Sequence, residues 1–281
     1  MSKSIVDVII VGAGPAGSSL AVQLKKFSLD ACLIDKKGYA GGLIENAYSV
    51  NNYLGLEPTK GNVFAQKIRD TLQRFNIGII KANVLTVEKK DNSVFVVKTD
   101  DGTFSSRAVA LAVGTLPVEY NGVAFYELGS LVSSITFEKS DRILIIGGGE
   151  SAFDYSLSLS DMKKDVTICI RGEHSKVYGV LKKEVESRKD INIKYNCGPD
   201  EVEKLASEKT LILSAIGRRS ALCNIEITAD HNEPGLFIIG DAKDGSLGQV
   251  GMAVGDGIRT ATEILKTIKF GVKCENNILN A

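Results

Sequence analysis

The sequence lacks the residue patterns that mark several common classes of protein. No two of its five cysteines are separated by two residues, so the chain has no CxxC motif, and neither a zinc site nor a disulfide framework is expected. It contains two histidines, from which no Ser-His-Asp group can be argued, and we expect no metal site. The cysteines are interpreted as free thiols of a reducing cytosol.

An excess of charge and long apolar runs are missing as well. The 34 basic and 34 acidic residues cancel, which gives no electrostatic reason to expect nucleic acid or an anionic membrane as a partner. No apolar run approaches the roughly 18 residues of a membrane helix. The apolar N-terminus is interrupted by Asp7 and leads into a glycine motif that cleavage would destroy, so we expect no signal peptide and a cytoplasmic protein.

Glycine is abundant instead, with 28 residues among 281. Gly12, Gly14 and Gly17 form a GxGxxG pattern between a predicted strand, Ile5 to Val11, and a predicted helix that begins at Pro15. The first glycine permits a tight turn, the second lets a pyrophosphate touch the backbone, and the third lets helix and strand pack closely. The start of the helix would supply free N–H groups and a positive dipole end to the phosphates.

A second predicted strand, Ala31 to Asp35, completes this unit and ends in a carboxylate. That is where an acid accepts hydrogen bonds from the ribose 2′-hydroxyl of a bound dinucleotide. Strand, glycine motif, helix, strand and terminal acid together predict a dinucleotide site headed by Gly12.

A second glycine motif, Gly147 to Ala152, follows the apolar strand Ile143 to Ile146. Its second strand ends in Arg171 rather than in an acid, and Lys176 lies in the next loop. An arginine at this tip can pair with a 2′-phosphate, which favours NADP over NAD. The alternative is that Arg171 is a solvated loop arginine, and that the site binds NAD or no nucleotide.

The two strand–helix–strand units predict an α/β protein with two nucleotide-binding domains. Continuous apolar strands suit parallel sheets that are buried on both faces. Between the units, strands over Asn83 to Lys89 and Asn92 to Lys98 and a turn at Asp101–Gly102 predict a small antiparallel meander. A last helix is predicted from about Gln249 to Ile268, before a polar tail.

From Ile5 to about Ile268, the chain resembles the low-molecular-weight thioredoxin reductases. Six segments that carry the resemblance occur in the order seen in that family: Gly12 to Gly17, Gly41 to Ile44, Asn51 to Gly55, Gly147 to Ala152, Ala215 to Arg218, and Gly235 to Asp241. The resemblance implies two Rossmann-like domains. Residues 1–114 and 217–281 would form a discontinuous FAD-binding domain, and residues 115–216 an inserted NAD(P)-binding domain. It also implies a homodimer.

The resemblance further implies which residues hold the cofactors, FAD and NADPH (or NADH), while no side chain is expected to be catalytic because the flavin carries the chemistry. Asp241 would lie at the ribityl–phosphate region, Asn52 near the flavin ring, and Gln249 and Val250 at its N1/C2=O side. The FAD set is Gly12, Gly14, Pro15, Ala16, Gly17, Asp35, Lys36, Gly42, Leu43, Asn52, Val84, Gly114, Gly240, Asp241, Gln249 and Val250. The NADP set is Gly147, Gly149, Glu150, Ser151, Ala152, Arg171 and Lys176.

One departure from the family bears directly on function. Where thioredoxin reductases carry CxxC, ahead of the second glycine motif, this chain has Ser130 and Ser133. A hydroxyl cannot cycle between thiolate and disulfide, so the protein is not expected to reduce thioredoxin by the family mechanism. In the NADPH signature, Gly172 replaces a second arginine, and Gly248 stands where an arginine usually precedes the last helix.

These features predict an oxidoreductase that moves hydride from NAD(P)H to flavin and passes electrons to a non-disulfide acceptor. The candidates are a ferredoxin- or flavodoxin-like carrier protein, a quinone or dioxygen. One alternative is a non-catalytic flavin-binding redox sensor or interaction protein. Another is a disulfide reductase that uses an unexpected cysteine, although Cys32 and Cys169 fall in predicted strands away from the flavin.

Overall fold

The computed structural model describes residues 5–90, 94–120, 123–230, 233–245 and 248–270. These residues form two lobes, each built on its own sheet, with a short two-stranded sheet between them. None of the helices in these ranges has the length and apolar character needed to cross a bilayer.

The N-terminal part of the chain builds most of the first lobe. Its elements are β1 (Val6–Val11), α1 (Pro15–Lys26), β2 (Ala31–Asp35), a 3₁₀ turn (Gly42–Asn46), α2 (Gly61–Arg74), β3 (Ile79–Lys81), β4 (Val84–Lys90), β5 (Val94–Thr99) and β6 (Gly102–Leu111). The predicted meander is confirmed, because β4 pairs antiparallel with β5, and β5 pairs antiparallel with β6.

The middle of the chain builds the second lobe. β7 (Thr115–Pro117) leads into α3 (Leu128–Val132), β8 (Arg142–Ile146), α4 (Glu150–Asp161), β9 (Asp165–Cys169), α5 (Gly179–Ser187), β10 (Ile191–Lys194), α6 (Pro199–Leu205) and β11 (Thr210–Ser214), and β12 (Arg218–Ser220) leads out. The sheet has the order β10-β9-β8-β11, and all its pairs are parallel. β7 and β12 pair antiparallel, so the chain enters and leaves this lobe side by side.

The C-terminal part returns to complete the first lobe. It adds a 3₁₀ turn (Ala221–Asn224), β13 (Glu226–Ile227), β14 (Leu236–Ile238), α7 (Asp241–Asp244) and α8 (Val250–Phe270). The sheet then has the order β13-β4-β5-β6-β1-β2-β3, with β14 beside β6. α8 extends to Phe270, two residues beyond the helix end predicted from the sequence, and residues 271–281 of the predicted polar tail lie outside the described residues.

The strands nearest the two glycine motifs are buried on both faces. In β1, Ile10 packs with the helices of one face and Ile9 with the opposite layer, and both are fully buried. Helices α1 and α8 pack against each other so closely that a side chain at Gly257 would press against the Ala16 carbonyl oxygen. This burial explains the continuous apolar runs and fixes the turn that follows each strand.

Candidate functional site

The first glycine turn, between β1 and α1, combines two packed glycines with one open glycine. Gly12 has a φ of +103°, and a Cβ there would collide with the Ala112 carbonyl oxygen. A Cβ at Gly17 would collide with the Gly12 carbonyl oxygen. At Gly14, by contrast, no atom lies within 4 Å of a built Cβ. The turn is therefore held by glycine where it packs, and it leaves the backbone bare where a phosphate would approach the helix N-terminus.

The carboxylate of Asp35 lies against this turn. Its Oδ2 accepts the backbone N–H of Ala13 at 2.9 Å, and its Oδ1 accepts the N–H of Lys37 at 2.7 Å. Gly42, in the next loop, is so near that its Cβ would lie 3.0 Å from the Cα of Gly14. The acid predicted for a ribose thus stands beside the predicted phosphate turn.

Near this turn, the structure brings together residues that are far apart in sequence. The Asn52 side-chain amide donates to Oε1 of Gln249 at 2.9 Å, directly before α8. Burial, and then the neighbouring Asp244, raise the pKa of Asp241. Gly248 packs directly on the Asp241 carboxylate, which would have to shift to admit a Cβ at this position.

A cleft of about 650 Å³ connects these groups and is bordered by both lobes. Glu150 and Ser151, in the first turn of α4, border it from the second lobe, followed by Asp154 and Tyr155. The N-terminal turns of α1 and α4 therefore face one shared space. Its size is within the usual range for a ligand or cofactor cleft.

Most of the predicted FAD residues line this cleft. They are Gly12, Gly14, Pro15, Ala16, Asp35, Lys36, Gly42, Leu43, Asn52, Gly114, Asp241, Gln249 and Val250. Gly17 and Gly240 do not line the cleft but pack against residues that do. A Cβ at Gly240 would lie 2.8 Å from the Cβ of Ala16, and a Cβ at Gly17 would collide with the Gly12 carbonyl oxygen. Val84 is buried in the core of the first lobe and does not line the cleft.

The second glycine turn, between β8 and α4, repeats the geometry of the first. Gly147 has a φ of +148° and would collide with the Ala215 carbonyl oxygen if it carried a Cβ, whereas Gly149 has no atom within 4 Å. Ala152 is fully buried where the first motif has its third glycine. Lys176 is next to the turn, because its N–H donates to the Gly148 carbonyl oxygen at 2.8 Å.

Only Glu150 and Ser151 of the predicted NADP set border the shared cleft. Gly147, Gly149, Ala152 and Lys176 lie at or behind the turn, outside the cleft lining. Arg171 is exposed two residues after the end of β9. This separation places the basic residues outside the space that the two lobes share.

Several cleft residues were not predicted from the sequence. Glu127 accepts a hydrogen bond from Nη2 of Arg218 at 3.0 Å, and this nitrogen also donates to the Thr115 carbonyl oxygen at 2.9 Å. Burial raises the pKa of Tyr155 to about 12. The one signal available was the spacing of Glu150 and Asp154, which puts two acids on one face of the helix after the glycine motif.

No cysteine is among the described residues that line the cleft. Ser130 and Ser133 are exposed, and their hydroxyls donate to carbonyl oxygens of their own segment, at Glu127 and Gly129. Cys169 and Cys197 are buried side by side in the second lobe. Burial raises the pKa of Cys169 to about 12, so this group stays a thiol at neutral pH.

The two open glycines fit two dinucleotides. Each precedes a helix whose first N–H groups lack intrahelical partners, and each leaves room for a phosphate to touch backbone. The carboxylate beside Gly14 adds the acceptor that a ribose needs. These observations support an adenine dinucleotide at each turn.

Comparison with known proteins agrees with this geometry. Residues 43–209 match the family described as pyridine nucleotide-disulphide oxidoreductase, and residues 10–59 match that described as an NAD(P)-binding Rossmann-like domain. Thioredoxin reductase of Bacillus subtilis is 26% identical over 95% of this chain and 99% of its own. Thioredoxin reductase of Listeria monocytogenes is 26% identical over 91% of this chain and 91% of its own.

Solved structures show the same fold. Thioredoxin reductase of Lactococcus lactis superposes with a TM-score of 0.79 at 22% identity, over 94% of this chain and 99% of that one. Bacillithiol disulfide reductase of Staphylococcus aureus superposes with a TM-score of 0.71 at 18% identity, over 95% of this chain and all of that one. The predicted pair of Rossmann-like domains is thereby confirmed. The chain belongs to the pyridine nucleotide-disulphide oxidoreductase family and is a thioredoxin reductase-like, NAD(P)H-dependent flavoprotein oxidoreductase that uses FAD.

Proposed function

We propose that this flavoprotein passes electrons from NAD(P)H to an acceptor that is not a disulfide. The observation that carries the proposal is the shared cleft, which is bordered by the first turns of both α1 and α4 and has no cysteine among its described lining residues. The positions that hold the redox pair in the resembling family are Ser130 and Ser133, and neither side chain faces the cleft. Among the described residues, the cleft therefore offers no pair of thiols for a dithiol relay between cofactor and substrate.

We assign FAD to the lobe formed by residues 1–114 and 217–281, and the nicotinamide nucleotide to residues 115–216. When bound, FAD would supply two-electron redox chemistry. The N–H groups of the Gly12–Gly17 turn would bind its pyrophosphate, and Asp35 would accept a hydrogen bond from its ribose. Gln249 and Val250 present the N-terminus of α8, whose positive end would stabilise negative charge on a bound ring.

We further propose that NADPH is preferred over NADH. Arg171 is exposed at the tip of β9, and Lys176 is anchored by its own backbone to the second glycine turn. Both cations are accessible to a 2′-phosphate, for which a bidentate arginine is the strongest partner. The tip of β9 carries no acid that would accept a hydrogen bond from the free ribose 2′-hydroxyl of NADH.

The acceptor can be identified by trapping the reduced protein. Protein that has been reduced anaerobically with one equivalent of NADPH is mixed separately with a quinone, with a ferredoxin or flavodoxin, with dioxygen, and with oxidised thioredoxin. We expect fast reoxidation by one of the first three and none by thioredoxin. Reoxidation by thioredoxin at a rate that matches turnover would overturn the proposal.

We also propose that the chain forms a homodimer, as the resemblance implies. Light scattering on the purified protein would then give twice the mass of one chain. A mass equal to one chain would contradict this.

A further inference from the structure

One carboxylate links the two lobes beside the cleft. Asp154 is on α4, one turn after the second glycine motif, and its Oδ2 accepts the backbone N–H of Tyr48 at 2.8 Å. The N–H of Ser49 also donates to this carboxylate. Residues 48 and 49 belong to the loop of the first lobe that leads to Asn52, so the bond joins the nucleotide helix of one lobe to the flavin-side loop of the other.

The same loop is held at a second point. The ring of Tyr48 packs against the hydrophobic core of the second lobe. Its hydroxyl accepts a hydrogen bond from Nη2 of Arg188 at 3.2 Å, and Arg188 is paired with Asp161 at 3.0 Å. The second lobe thus fixes the backbone, the ring and the hydroxyl of Tyr48, and Asp154 is the residue that fixes the backbone.

The surroundings of Asp154 are unfavourable for its charge. Burial is the largest effect and raises its pKa to about 6, while the two N–H donors lower it. Glu150, in the preceding turn of α4, and Glu184, on α5, add like charges that raise the pKa further. Tyr155 lies beside it, next to the Arg218–Glu127 pair, and the backbone N–H groups of residues 48 and 49 face it from the loop of the first lobe.

We propose that Asp154 is a positioning residue for the reduction of the flavin: its carboxyl group, bonded to the backbone of residues 48 and 49, sets the distance between the nicotinamide lobe and the flavin-side loop. The inference rests on the proposed function, because it takes the rings of the two nucleotides to meet in the shared cleft. It adds a residue outside both glycine motifs to the machinery of the reaction.

The burial of Asp154 gives the contact a definite pH dependence. In the docked arrangement the carboxyl is partly buried and its pKa is about 6, whereas in a separated arrangement solvent would reach it freely and its pKa would be the ordinary 3.8. The docked arrangement therefore binds the proton more tightly, and it is favoured as the pH falls through 6. Between about pH 7.5 and about pH 5 this linkage makes the docking constant about tenfold larger.

The kinetic test compares wild type, Asp154→Asn and Asp154→Ala by anaerobic stopped-flow reduction of the flavin at saturating NADPH. We expect the wild-type rate to rise about tenfold from about pH 7.5 to about pH 5. The asparagine of Asp154→Asn keeps a hydrogen-bond acceptor and carries no charge. The rate of flavin reduction in this variant should therefore equal, at every pH, the rate that wild type reaches at low pH. Ala leaves two amide N–H groups without an acceptor and should be about tenfold slower than Asn throughout. KM for NADPH should change little in either variant.

The control is Asp165→Asn, which neutralises an exposed aspartate at the N-terminal end of β9, the end opposite the cleft. It should keep the wild-type pH profile. A flat wild-type profile, or an acid rise that persists in Asp154→Asn, would overturn the role of Asp154 while leaving the proposed function intact. If neither NADPH nor NADH reduces the wild-type flavin at any pH, both are overturned.

A second readout needs no cofactor. In the flavin-free protein, the raised pKa means that wild type loses stability relative to Asp154→Asn as the pH rises from about 4 through about 6. Thermal unfolding midpoints measured over this range should diverge in that direction. Parallel curves for the two proteins would show that the carboxyl is not buried between the lobes, and this would also overturn the inference.

Discussion

Alanine at Gly14 should weaken binding at the first nucleotide site, and alanine at Gly149 should weaken binding at the second, with the fold of the protein unchanged in both cases. Both glycines have backbone angles open to alanine, with φ −70° and ψ −174° at Gly14 and φ −100° and ψ 179° at Gly149. A Cβ at either position meets no atom within 4 Å. The free energy of unfolding should therefore stay unchanged or rise by about 0.4–1 kcal/mol, because alanine has less freedom in the unfolded chain.

The effect on binding follows from what the Cβ would displace. A methyl group on the bare face of the turn pushes a phosphate away from the first N–H groups of the helix. One charge-assisted hydrogen bond contributes about 1.5–3 kcal/mol. Its loss corresponds to about 10- to 150-fold weaker binding, since 1.4 kcal/mol is a factor of ten.

The assay measures FAD affinity by quenching of flavin fluorescence on the apoprotein, and KM for NADPH on the reconstituted protein. Gly14→Ala should weaken FAD binding, whereas Gly149→Ala should keep FAD and raise KM. Gly198→Ala is the matched control, because Gly198 also precedes a helix, has φ −81° and ψ −177°, and has no atom within 4 Å of its Cβ. An exchange of the two effects, or a Gly14→Ala protein that binds FAD as tightly as wild type, would contradict this assignment of the two sites.

Three further predictions concern the nucleotide preference, the thiols and the core. Arg171→Ala should raise KM for NADPH about tenfold or more and leave KM for NADH unchanged in steady-state assays. An equal rise of KM for both nucleotides would show that Arg171 does not bind the 2′-phosphate. Maleimide labelling at about pH 8, mapped by mass spectrometry, should modify exposed Cys223 and spare Cys169, because burial raises the pKa of the Cys169 thiol to about 12. Lys164→Met should lower the free energy of unfolding in urea by about 1–3 kcal/mol, since buried Lys164 donates to two backbone carbonyl oxygens, and no loss would mean that these bonds contribute nothing net.

The parts of the fold that depend on local pattern could be predicted from the sequence. The first glycine turn, its helix and the strand that ends at Asp35 follow from short-range spacing, because each glycine has a separate steric task. The antiparallel meander likewise follows from alternating residues and a turn at Asp101–Gly102. Short strands such as β3 and β10 were missed, because three or four residues carry too little periodicity.

The residues that join the two lobes could not be predicted. Tyr48 and Asp154 come from different lobes, and nothing in the local sequence of either indicates that the other is near. Glu127 and Arg218 meet for the same reason, where the chain enters and leaves the second lobe. Val84 differs from these residues, because it was expected at the FAD site. The resemblance implied that place, whereas the structure puts Val84 in the core of the first lobe.

The most direct test of paired nucleotide pockets is anaerobic titration of the purified yellow protein with NADPH and with NADH, followed in the visible flavin absorption band. We predict rapid bleaching, complete at about one equivalent of NADPH per flavin, since each nucleotide carries one electron pair. Protein that is colourless and takes up no added FAD, or FAD-loaded protein that neither nucleotide bleaches, would contradict the account.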